Sequence, residues 1–201
     1  MFELVAVTNR RLCRGDYLEQ LEKIAASGVS GLILREKDLS PADYKALAKQ
    51  VLPICSRYGV DCILHCFWEV ASELGVNRIQ LSLSDFEQIP AEFKPRFAKI
   101  GVSIHSLEQA QRAALLGATG LTAGHIFPTA CKEGIAPRGL RFLEEVCRRI
   151  FLPVYAIGGI TPENAASVRG TGAAGACVMS TLMEAKEPSA LIQQIRKKLG
   201  E

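Results

Sequence analysis

The sequence predicts a single (β/α)8 barrel over residues 1–201, and three observations predict it. Eight short β-rich runs alternate with stretches of helical period, at a repeat of about 25 residues, which suits one βα unit. Several of the runs are apolar throughout, as parallel strands buried on both faces are. Residues able to do chemistry gather just after the run ends, where such a barrel keeps its active site. An open, doubly wound sheet has the same periodicity and is the alternative architecture.

The predicted strands are 2–7, 31–34, 61–65, 78–83, 99–104, 120–123, 154–157 and 175–179. Between the first two, Tyr17, Leu18, Leu21, Ile24 and Ala25 form an apolar stripe at helical spacing. Pro41 follows Ser40 and opens the next helix, where its missing N–H costs nothing. Ala110, Ala113, Ala114 and Gly117 give a later helix a small-residue face, with Ser106 as its N-cap. Pro162 and Asn164 are read as the start of another helix, and Leu182 to Leu199 as the last one.

Composition narrows the function. The chain is 48% hydrophobic and 22% charged, ordinary for a globular domain, and its net charge of +3 is too small to call for nucleic acid or an acidic membrane. No basic recognition helix or helix-turn-helix unit is visible. No apolar run approaches the ~20 residues that span a bilayer, and the N-terminal residues do not read as a signal peptide, so the cytoplasm is the expected location. Seven cysteines, irregularly spaced and without a C-x-x-C pair, suggest neither a disulfide framework nor a zinc knuckle.

Strand ends carry the candidate site. Arg35-Glu36-Lys37-Asp38 follows the second strand, and Arg35 and Lys37, two apart, point the same way as a candidate anion clamp. Ser103 closes on the mouth from the fifth strand. After the sixth come His125, Thr129, Cys131 and Lys132 within eight residues. His125 is the candidate acid/base, because imidazole takes and returns protons near neutral pH. No base is identifiable for Cys131. Gly158 and Gly159 let the backbone approach a ligand after the seventh strand, and Met179 and Ser180 lead from the eighth into a helix, the two places where many barrels hold phosphate. His65 is a weaker mouth candidate, and His105 reads as local structure beside the Ser106 cap.

Together these segments resemble the thiamin phosphate synthase/TenI family. The resemblance rests on Leu34 to Asp38, Gly101-Val102-Ser103-Ile104-His105-Ser106, the stretch Gly124 to Gly134, Ala156 to Asn164, and Val178-Met179-Ser180. It implies a small phosphorylated thiazole-type substrate and a homo-oligomer. Synthases of the family carry Asn-Asp after the third strand and a second acidic residue further on, which hold magnesium against a diphosphate. Here His65 and Cys66 occupy the first place, and only Asp85 is left of the metal pair. A synthase would need magnesium at Asp85. Gly124-His125 stands where synthases usually have Gly-Pro, as in TenI thiazole tautomerases, so the resemblance implies a cofactor-free isomerase with His125 as acid/base. Gly158, Gly159, Met179 and Ser180 would then cup phosphate, and Arg35 and Lys37 would meet the carboxylate. The transferase and a non-catalytic ligand-binding regulator are the alternatives.

Overall fold

Alternation along each strand decides which side chains meet the axis and which meet the helices. In β1 (Glu3–Val7), Leu4 and Ala6 join the main core under the helices, whereas Val5 and Val7 join Ile33 and Cys177 in a second, smaller apolar cluster inside the barrel. This computed structural model describes residues 1–201. The other strands are β2 (Gly31–Leu34), β3 (Asp61–His65), β4 (Arg78–Ser82), β5 (Lys99–Ile104), β6 (Gly120–Gly124), β7 (Val154–Ile157) and β8 (Gly175–Val178).

All pairings are parallel and run in sequence order. The ring closes where Glu3, Leu4, Val5 and Ala6 of β1 stand opposite Gly175, Ala176, Cys177 and Val178 of β8. That pairing removes the open-sheet alternative. All eight predicted strands are present, with ends shifted by at most one residue; Leu83 already belongs to the following helix.

Nine helices cover the outside: α1 (Tyr17–Ala26), α2 (Pro41–Arg57), α3 (Trp68–Glu73), α4 (Leu83–Gln88), α5 (Leu107–Leu115), α6 (Gly139–Arg149), α7 (Ala165–Gly170), α8 (Ser180–Met183) and α9 (Pro188–Lys198). Ser40 caps α2 as expected: its hydroxyl accepts from the Asp43 N–H at 3.1 Å and donates to the Asp43 carboxylate at 2.6 Å. Ser106 caps α5 by accepting from the Gln109 N–H. Two helix expectations need correction. The segment after β8 is not one helix, because Pro188 has no N–H to continue a ladder and instead starts α9 at its first turn. Pro162 lies in a turn outside α7; Asn164 holds that turn, accepting from the Thr161 N–H and donating to the Gly159 carbonyl. No helix is long and apolar enough to cross a membrane.

Candidate functional site at the C-terminal mouth

The ends of β2 and β3 are fixed by one buried side chain. Tyr44, on α2 and fully buried, donates its hydroxyl to the Leu34 carbonyl at 2.6 Å and accepts from the His65 N–H at 2.8 Å. The Arg35 N–H is held at 2.9 Å by the Thr8 hydroxyl. These bonds set where the charged run after β2 begins.

In that run the acids and the bases part company. Glu36 is buried at 2% exposure and accepts from the Thr8 and Tyr17 hydroxyls, each at 2.8 Å, and from the Arg10 N–H at 3.0 Å. Asp38 is bound by Arg10 at 2.6 Å and Arg11 at 2.7 Å. The Arg10 hydrogen bonds hold the Asp38 carboxyl down at about 2. Arg35 and Lys37 point the other way and line a cavity at the C-terminal mouth, as their spacing predicts. Neither they nor Lys132 has a carboxylate partner among the ion pairs.

This mouth cavity, ≈ 240 Å³, brings together every site residue expected from the sequence except Asp85: Arg35, Lys37, Ser103, His125, Thr129 and Lys132, with Gly158, Gly159, Met179 and Ser180 on its far wall. Thr129 also accepts from the Cys131 N–H, starting the short turn that carries Lys132. Gln80, nearly buried, donates to the Ser103 hydroxyl at 3.0 Å and accepts from Thr122 at 3.4 Å, so Ser103 is positioned from below. Nothing in the sequence around Gln80 marked it for that role.

His125 is buried in the wall, 7% exposed, with Nε2 at 3.2 Å from the Ile135 carbonyl. A carbonyl only accepts, so Nε2 carries a proton, and in the neutral ring Nδ1 keeps its lone pair. The glycine pair after β7 supports this histidine. Gly158 has φ +98°, and a Cβ there would collide with the His125 Cβ. Gly159 has φ +67°, and its Cβ would fall 2.8 Å from that of Phe127. The pair is therefore required first by the close approach of the β6 loop, besides facing the cavity.

Two histidines were undervalued in the sequence. His65 lines the cavity and is 6% exposed, with Nδ1 lacking any partner. Burial, together with Lys37 and Arg35, holds its pKa down at about 3, so it is neutral. His105 is not merely local structure: it also lines the cavity, with Nδ1 at 2.6 Å from the Gly124 carbonyl. All 3 histidines of the chain thus meet at one mouth.

Asp85, expected as a magnesium ligand only of a synthase, does not line the cavity. It sits at the start of α4, where its carboxylate accepts from Ser82 Oγ at 2.6 Å and from the Cys66 thiol at 3.5 Å. Burial alone would raise its pKa; the Ser82 and Cys66 hydrogen bonds, with Lys37 nearby, bring it below the usual value. The Cys66 thiol is pushed up to about 11, chiefly by burial, and stays protonated. A protonated thiol, and a carboxylate with one oxygen taken by both Ser82 and Cys66, are a poor set for magnesium, which takes several oxygen ligands. No group of three His, Cys, Asp or Glu side chains gathers in metal-binding geometry.

The comparisons with known proteins agree with this architecture. The family model described as thiamine monophosphate synthase matches residues 4–182. The chain belongs to this family. Among relatives, thiamine-phosphate synthase of Roseiflexus sp. (strain RS-1) is 37% identical over 190 residues, covering 92% of this chain and 79% of that protein. Thiamine-phosphate synthase 2 of Streptococcus pneumoniae serotype 4 is 35% identical, covering 98% and 94%. The solved thiamine phosphate pyrophosphorylase from Pyrococcus furiosus superposes with a TM-score of 0.86 at 28% identity, covering 99% of this chain and 96% of that one. Membership places the chain among enzymes of thiamin biosynthesis and leaves the branch of the family to the chemistry of the mouth.

Proposed function

We propose that this family member is a thiazole tautomerase, which aromatises a carboxythiazole phosphate by moving one proton and needs no metal. The observation that carries the reading is His125: it lines the mouth with its Nε2 anchored by the Ile135 carbonyl, so that Nδ1 is the nitrogen that can act as the base in the neutral ring. That nitrogen removes the proton from the ring carbon bearing the carboxylate, and a proton is then added at the exocyclic carbon. Arg35, Lys37 and Lys132, without carboxylate partners of their own, hold the substrate carboxylate and stabilise the electron-rich intermediate. Gly158, Gly159, Met179 and Ser180 cup the phosphate at the place barrels favour.

A second reading has its own support. The relatives are named thiamine-phosphate synthases, and a transferase would join hydroxymethylpyrimidine diphosphate to thiazole phosphate. The mismatch of Cys66 and Asp85 to magnesium weighs against it. A paired assay decides. One tube holds the carboxythiazole phosphate tautomer; the other holds the two synthase substrates with magnesium. Aromatisation in the first without thiamin phosphate in the second is the expected result, and the reverse outcome refutes the tautomerase.

A further inference from the structure

Proton transfer between two carbons leaves open whether one group does both halves. His105 bears on this. Its backbone N–H donates to the Gln109 side chain at 2.7 Å, and Ser106 beside it caps α5, so its place on the rim is fixed by a helix start. Its Nδ1 lies 2.6 Å from the Gly124 carbonyl, an obligate acceptor. Nδ1 therefore carries a proton, and Nε2, which has no partner in the chain, keeps an unshared pair in the neutral ring. The ring is exposed and lines the same cavity as His125.

His125 is built in the mirror sense. A backbone carbonyl holds its Nε2, and Nδ1 is left free. Two imidazoles, each with one nitrogen held by a backbone carbonyl, thus line a single cavity, and in its neutral form each ring keeps its other nitrogen as a base. They are also linked through the chain, because the carbonyl that anchors His105 belongs to the residue before His125. A histidine kept for packing would be buried with its nitrogens occupied. His65 shows the third arrangement, buried and neutral, with Nδ1 shut away from solvent.

We propose that His105 is a second proton-transfer residue, handing a proton to the substrate from Nε2 while His125 Nδ1 withdraws one. The inference rests on the tautomerase reading for its substrate. Water first protonates His105. His125 then removes the proton from the ring carbon, and the electron pair of that C–H bond moves through the conjugated system. The exocyclic carbon forms its new bond to the proton of His105 Nε2. His125 leaves the cycle protonated and His105 neutral, and both reset by exchange with solvent. No net proton is consumed.

The test uses the full chain and two measurements. Nitrogen-15 spectra of the imidazoles in the free protein are expected to show His105 as the Nδ1–H tautomer and His125 as the Nε2–H tautomer. An Nε2–H tautomer at His105 overturns the proposal whatever the protein catalyses. The second measurement is turnover of substrate deuterated at the ring carbon, in ordinary water. Wild type should place solvent hydrogen at the exocyclic carbon. His105→Asn keeps an N–H donor for the Gly124 carbonyl but cannot carry a proton. It should react about 10²-fold more slowly, with deuterium now appearing at the exocyclic carbon, because His125 must return what it removed. An unchanged rate, or a slower reaction with no deuterium transfer, assigns His105 a structural role and refutes the proposal. If wild type does not aromatise the substrate at all, the proposed function fails, and the tautomer spectra still judge the two-imidazole arrangement separately.

Discussion

Two cavities lie back to back along the barrel axis, and the larger is not the candidate site. The N-terminal cavity is ≈ 470 Å³ and the C-terminal one ≈ 240 Å³; Ile33, Gln80, Thr122 and Cys177 border both. At the N-terminal space Gly31 and Gly120 bring no side chain to the wall, and the room beside Gly101 is taken by the Gln80 carboxamide. Its charges answer one another. Asp61 takes Arg78 at 3.0 Å and Lys99 at 3.3 Å, and Glu3 accepts from the Tyr155 hydroxyl at 2.9 Å. At the C-terminal mouth, Arg35, Lys37 and Lys132 have no acid, and two imidazole nitrogens have no donor. What separates the two is unsatisfied chemistry, since cations and lone pairs left open are poised for a ligand.

The sharpest way to break this contrast is His125→Asn. It should lower tautomerisation by about 10²- to 10⁴-fold while inorganic phosphate still binds, measured by turnover and by calorimetric titration. Near-wild-type turnover would remove the mouth's claim to chemistry. Gly158→Ala comes next. A β-carbon at φ +98° would press on His125, so a loss of about 2–4 kcal/mol in denaturant unfolding is expected, together with impaired turnover. Full stability in that variant would show that the β6 loop is free to move away.

His65 gives a pH test of the same wall. Its pKa is about 3 in the fold against the ordinary 6.5, so the unfolded chain binds its proton first as pH falls. Its contribution is therefore complete above pH 6.5 and declines from there down to about pH 3, by about 1.4 kcal/mol per pH unit. His65→Gln should flatten the stability profile in that window; an unchanged slope would mean that His65 is solvated. The smallest effect is expected at the opposite end. Gly120 has no positive φ, and a β-carbon there would make ordinary van der Waals contact with Pro153 at 3.6 Å, so Gly120→Ala should stabilise by about 0.4–1 kcal/mol through the unfolded chain and leave turnover unchanged. A change in turnover there would show that the two cavities communicate through Gln80.

The strands were legible because each is a short apolar run with a polar or glycine-rich end, and that pattern survives any detail of packing. Arg35 and Lys37 were legible for a similar reason: alternate residues leave a strand in the same direction, and Glu36 between them goes to the buried side. What was not legible has a different origin. His105 looked like a residue beside a helix cap because its neighbour Ser106 is one; its cavity face depends on the Gly124 carbonyl, 19 residues away in sequence. Asp85 stood as the one metal ligand left to a synthase, and the sequence could not show that Ser82 and Cys66 share one of its carboxylate oxygens. Gly158 and Gly159, expected to let a ligand approach, do line the cavity, and they also make room for the His125 loop, a demand that no local pattern shows.

The sequence by itself determined the barrel, the order of its strands and the wall on which most of the chemistry stands, because periodicity and strand-end position are local properties that the chain carries in one dimension. Only the tertiary structure decided which nitrogens are free, which cations lack acids and which carboxylate is already used. Those depend on partners from separate strands and loops, brought within about 3 Å by ring closure, and no pattern along the chain encodes that meeting.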